Sequence, residues 1–171
     1  MDTLQALKTR RSVRRFQAGQ VDAGALDRAL EAATYAPTGM GRQAPQLVVV
    51  QDAQTLDQLR KMNMEVLGGG KDPYYGAPTI VLALAPEDVN TYVEDASCVL
   101  TYLMLALHEE GVASVWVHRE REMFASAEGK ALLKKWGIPE KYQGVGSLAV
   151  GYAEGDYPQA APRREGYVLK V

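Results

Sequence analysis

From Ala96 to Leu107 the chain is apolar almost all round, interrupted only by Ser97, Thr101 and Tyr102. A helix without a polar face must be buried on every side, either at the centre of a core or against a second subunit. The run is too short to cross a membrane, which takes about 20 apolar residues. Whatever fold forms has to be built around this helix, which is predicted to run from a cap at Asn90 to about Glu110, with Gly111 closing it.

The flanking segments alternate between helical and extended patterns. Asp2 or Thr3 caps a short predicted helix carrying Leu4 and Leu7, which ends near Ser12. Leu26, Ala29, Leu30 and Ala33 repeat with helical spacing after Asp22, and Pro37 enforces a stop. Leu47 to Val50 reads as a strand, and Thr55 with Gln58 as a capping box opening a helix that Gly68 to Gly70 end. Thr79 to Ala85 reads as a second strand. Val112 to His118 alternates as a third, with Ala113, Val115 and Val117 on one face. Two further helices precede a Gly-rich strand from Gln143 to Tyr152, and the tail ends in a β-prone Tyr167-Val168-Leu169. No repeat or linker divides residues 1–171, so one α/β or α+β domain is expected, its sheet covered by helices.

Composition removes several functions. At 47% apolar residues the chain is not disordered, and its single cysteine, Cys98, allows neither a disulfide framework nor the usual structural zinc site. With no apolar leader and one thiol, a cytoplasmic protein is expected. A balance of 19 Lys and Arg against 21 Asp and Glu gives no global reason to bind nucleic acid.

Local placement says more. Arg10, Arg11, Ser12, Arg14 and Arg15 crowd one short stretch, and Arg163-Arg164 form a second basic pair. Guanidinium forks beside a hydroxyl suit a phosphate monoester, although a solvated helix end would show the same residues. Gly144 to Ala149 fits G-x-G-x-x-A literally. No strand precedes it and Val150 continues it as a strand, so close packing is its expected role. His108, near a helix C-terminus, is expected as a cap-side cation, and Cys98 as an inert core thiol. Tyr74-Tyr75 could wall a planar ligand or fill a loop. No hydrolytic triad or metal cluster is visible, so chemistry would have to come from a cofactor.

Taken in order, Arg10 to Phe16, Ala36 to Gln43, Tyr75 to Pro78, Ala113 to His118, Gly144 to Tyr152 and Pro162 to Arg164 resemble the FMN-dependent nitroreductase family. The resemblance implies an α+β nitroreductase-like fold, a mixed central β-sheet flanked by helices, in an interlocked homodimer with FMN at the subunit interface. It implies that Arg10, Arg11, Ser12 and Arg163 hold the FMN phosphate, the two basic stretches meeting in the dimer. Arg14 would lie near the flavin N1 and C2 carbonyl. Pro37, Thr38 and Gly39 would reach the isoalloxazine from the other subunit, Gln43 would hydrogen-bond it, and the backbone of His118 and Arg119 would lie near N5 and O4. The implied activity is hydride transfer from NADH or NADPH to FMN and on to a nitroaromatic, quinone or related small-molecule acceptor, with ping-pong kinetics.

The chain also departs from the family pattern. Gly41 stands where many members have Asn, Ala44-Pro45 where they have Pro-Trp, and His118-Arg119 where they have Gly-Gly or Glu-Gly. A non-catalytic or flavin-processing FMN-binding protein of the same fold is the alternative. A phosphate- or nucleic-acid-binding module using the Arg cluster alone is disfavoured by the net charge.

Overall fold

The computed structural model of the chain describes residues 2–171. Its order is α1 (Thr3–Thr9), α2 (Ala23–Ala33), β1 (Gln46–Val50), α3 (Ala53–Leu67), β2 (Thr79–Pro86), α4 (Tyr92–Glu109), β3 (Ala113–Val117), α5 (Glu120–Ala125), α6 (Ala127–Lys135) and β4 (Tyr142–Gly151). The strands pair in the order β1-β2-β4-β3. The architecture is α+β, as expected. The mixed character of the sheet is slight, since all three strand pairs are antiparallel and the parallel component is a single bridge between Ser12 and Ser114.

Period-two alternation divides the core into two layers. Val81, Ala83, Ala85, Leu148 and Val150 face α2 and α4, packing on Leu26, Ala29, Leu100, Leu103 and Leu107. Ile80, Leu82, Leu84 and Ala149 point the other way, toward Leu56, Leu59, Phe124 and Leu133. β2 is therefore buried along its whole length. Ala83 pairs with Gly146 and Leu84 with Gly144, which leaves Val145 as the extra residue of a bulge in β4.

The glycines of β4 serve close packing, as expected. A Cβ at Gly146 would stand 2.5 Å from the Trp116 ring, and one at Gly144 would collide with the Glu120 carbonyl.

Several boundaries differ from the sequence reading. Asp52, not Thr55, caps α3: its carboxylate accepts from Thr55 N at 2.8 Å, and Thr55 is buried inside the first turn. Thr91 rather than Asn90 precedes α4, and its hydroxyl bonds the Asp95 carboxylate at 3.0 Å. In one chain α4 is not covered all round. The sheet and α2 bury one side, while Thr101 and Tyr102 are exposed and Cys98, Met104 and Leu105 half-buried. Tyr167, Val168 and Leu169 form no strand and lie exposed. Among the described residues, no helix is long and apolar enough to cross a membrane.

Candidate functional site

The N-terminal basic stretch leaves α1 at Arg10, whose backbone is already extended, and runs beside the outer edge of β3, where Val13 N donates to Ser114 O at 3.2 Å. That path puts Arg10, Arg11 and Ser12 into a cleft of about 740 Å3, closed on its far side by Gln159 to Arg163. The two basic stretches thus meet already within one chain, where the tail lies beside its own N-terminal segment. Two of the arginines are tied to backbone here. Arg11 Nη1 donates to Lys8 O and Arg10 O, and Arg163 Nη2 to Ala161 O at 2.6 Å. Arg10 differs: its Nη1 is buried with no hydrogen-bond partner, and burial followed by repulsion from Arg11 lowers its pKa. A buried guanidinium nitrogen left unpaired in a cleft of positive charge fits an oxyanion such as a phosphate monoester.

His108, near the end of α4, contacts the end of α1 and the tail. It is buried, with Nε2 2.8 Å from Thr9 Oγ1 and its ring 5.6 Å from that of Tyr157. Burial, with Arg10 close by, pushes its pKa down, so the expected cap-side cation is a neutral ring. Glu110, at the end of α4, is held by Arg28, which donates to it through Nε at 3.0 Å and Nη2 at 2.6 Å.

The other basic residues diverge. Arg15 reaches Glu154 at 3.3 Å on the surface, and Arg14 lies over the Tyr75 ring, 5.9 Å from its centre. The two adjacent tyrosines point to opposite environments. Tyr75, at φ +58°, is exposed beside Arg14. Tyr74 is fully buried, its hydroxyl donating to Glu120 Oε1 at 3.1 Å and accepting from Asn63 Nδ2 at 3.2 Å.

Asn63 also donates to the His118 carbonyl, and accepts from Arg119 Nε. Asn63 thus ties the His118–Arg119 turn to Tyr74, the neighbour of Tyr75. Glu120, itself buried, accepts from Ser147 Oγ at 2.5 Å while its Oε2 has no partner; burial pushes its pKa up to about 7 despite these bonds. Neither Asn63 nor Glu120 was singled out from the sequence, because each sits in an ordinary polar helix pattern.

Pro37, Thr38, Gly39 and Gln43 lie elsewhere. Gly39 N donates to Asp95 Oδ1 at 2.8 Å and Gln43 N to Thr38 Oγ1 at 3.0 Å, which folds the loop against the start of α4. Asp95 is buried, and it too escaped the sequence reading. A side chain at 39 would collide with Thr91, which accounts for the glycine. Thr38 and Gln43 line a cleft of about 470 Å3 with Leu47, Val49, Leu30 and Val99.

This loop leads into β1, whereas His118 follows β3, and these are the two edges of the sheet. The register puts both at the same end, since Gln46 pairs with Leu84, Leu84 with Gly144, and Val117 with Ser147. The two edge strands lie three strand spacings apart, roughly 14 Å. Within one chain the loop of Thr38 and Gln43 and the turn at His118 thus belong to opposite edges of the sheet.

A model of the nitroreductase family matches residues 7–152. The chain is 29% identical over 170 residues to an Archaeoglobus fulgidus protein named "Putative NADH dehydrogenase/NAD(P)H nitroreductase", covering 95% of this chain and 92% of that one. Among solved structures, a nitroreductase with bound FMN from Bacteroides fragilis superposes with a TM-score of 0.91 at 26% identity, covering 100% of both chains. A second, from Desulfitobacterium hafniense and also with bound FMN, shares the fold with a TM-score of 0.88 at 24% identity, over 99% of each chain.

Proposed function

Because the chain belongs to the nitroreductase family, we propose that it is a homodimeric, FMN-dependent oxidoreductase that uses NADH or NADPH as reductant. The observation that carries this reading is the cleft of Arg10, Arg11, Ser12 and Arg163, with its buried and unpartnered Arg10 Nη1, which suits the FMN phosphate. Ser12 adds a hydroxyl, and Arg11 and Arg163, already tied to backbone carbonyls, add charge at little further ordering cost. Arg14 supplies positive charge at the N1 and C2 carbonyl end of the ring, where reduction gathers negative charge. The backbone at His118 and Arg119 faces N5 and O4. Pro37, Thr38 and Gly39 of a second copy cover the ring, with Gln43 as a hydrogen-bonding group.

The placement of the Thr38 loop and of His118 at opposite edges of the sheet supports the dimer, in which a second copy's loop completes the site. The exposed side of α4 around Tyr102 and the exposed apolar tail give such a copy surface to bury. When bound, FMN would supply the redox chemistry, carrying hydride from the nicotinamide to a nitroaromatic, quinone or related acceptor by a ping-pong sequence. The protein then needs no acid, base or nucleophile of its own at the reacting atoms, in keeping with a chain that has one Cys and two His.

The test is an absorbance spectrum of purified protein mixed with FMN, followed by anaerobic titration with NADH and NADPH. Bound flavin that bleaches with either nucleotide supports the reading. Protein that takes up no FMN, or holds FMN that neither nucleotide reduces, overturns it.

A further inference from the structure

The backbone at the end of β3 is unusual. Arg119 sits at φ +90° and ψ 5°, a left-handed conformation that a residue with a side chain keeps only when its surroundings hold it there. A glycine would rest in it freely. What holds Arg119 is Asn63, a fully buried amide on α3.

The amide makes three hydrogen bonds: Nδ2 donates to the His118 carbonyl at 3.0 Å and to Tyr74 Oη at 3.2 Å, while Oδ1 accepts from Arg119 Nε at 2.8 Å. Only one orientation of the amide works. The His118 carbonyl needs a donor and the Arg119 Nε–H an acceptor, so a flipped amide would oppose like groups at both. The remaining bond leads through Tyr74 to Glu120 and Ser147, anchoring Asn63 to a second buried group at 3.1 Å and a third at 2.5 Å along the chain of bonds. Asn63 thus grips the two consecutive residues of the turn by opposite chemistries, one by backbone and one by side chain.

We propose that Asn63 is a positioning residue: it locks the His118–Arg119 turn in its left-handed form, so that the outward backbone of the turn is presented to the flavin, and it replaces in this chain the conformational freedom that a glycine at 119 would give. The proposal rests on the reading of His118 and Arg119 as flavin-facing. No other polar side chain is bonded to both residues of the turn among the described residues.

The lock predicts coupling between positions 63 and 119, which simple loss of packing does not. The experiment compares wild type, Asn63→Leu, Arg119→Gly and the double variant by FMN fluorescence titration, by the visible spectrum of the bound flavin, and by amide hydrogen exchange of the FMN-free protein at residues 118–120. With Arg119 present, Asn63→Leu is expected to weaken FMN binding by about tenfold, the scale of one well-made hydrogen bond to a buried group, with a changed flavin spectrum and faster exchange at the turn. With glycine at 119, the same substitution is expected to change FMN affinity by less than about threefold, because glycine keeps the left-handed turn without being held there.

Equal loss in both backgrounds, or no loss of FMN affinity in either, overturns the lock. If Asn63→Leu does not fold, Asn63→Asp takes its place. It keeps an acceptor for Arg119 but faces the His118 carbonyl with an oxygen, and wild-type affinity in that variant likewise overturns the proposal. Wild-type protein that binds no FMN sinks the flavin reading itself, whereas wild-type binding with an insensitive position 63 sinks the lock alone.

Discussion

Replacing Glu120 by Gln is expected to flatten the pH dependence of stability. The Glu120 carboxyl is buried, Oε1 accepts from Ser147 and Tyr74, and Oε2 has no partner. Burial raises its pKa from 4.5 to about 7, the bonds from Ser147 and Tyr74 and the neighbouring Arg119 offsetting only part of the effect. The folded chain therefore binds this proton more tightly than the unfolded one. The stability it contributes is fully present below pH 4.5, declines as pH rises, and is lost once pH passes about 7. At about 1.4 kcal/mol per pH unit, that window amounts to roughly 3 kcal/mol.

Gln carries a neutral group of the same shape, so its unpartnered amide costs the same at every pH. The difference between the two proteins isolates the titration, since every other group titrates alike in both. Urea unfolding of FMN-free protein across this window measures it. Stability of Glu120→Gln relative to wild type should rise by roughly 3 kcal/mol between about pH 4.5 and about pH 8, with most of the change below pH 7. Parallel curves for the two proteins would refute the reasoning, because they would mean that the carboxylate is as comfortable in the fold as in water.

Arg10→Ala should weaken FMN binding by roughly 10- to 100-fold, as expected for one charge-assisted bond to a phosphate, read by fluorescence titration; an unchanged affinity would place the phosphate elsewhere. Gly146→Ala would set a methyl 2.5 Å from the Trp116 ring in the sheet interior. Overpacking of this kind costs about 1–3 kcal/mol, visible as a lower denaturant midpoint without a change in m. Tyr102→Glu puts a charge on the exposed side of α4, and sedimentation should show monomer where wild type is dimeric; a wild-type dimer that tolerates the charge would move the interface to another surface.

The sequence by itself determined the element order, the long apolar helix and the two basic stretches. Those features rest on short-range physics: period-two and helical spacing, caps at Asp2 and Asp22, and glycines closing α3 and α4. It also fixed the packing role of Gly144 and Gly146, because a strand pattern continued through them. Local patterns failed where two side chains competed for one cap, as Asp52 did with Thr55.

Only the tertiary structure decided which distant residues meet. Asn63, Tyr74, Glu120 and Ser147 come from four separate segments, and nothing local to any of them announces a buried network. Strand order likewise sent the loop of Thr38 and Gln43 to one edge of the sheet and His118 to the other. The tail folding over Arg10 has the same origin. Long-range pairing follows from which apolar faces fill one another and which buried polar groups find partners, and a sequence read in local windows does not contain those distances.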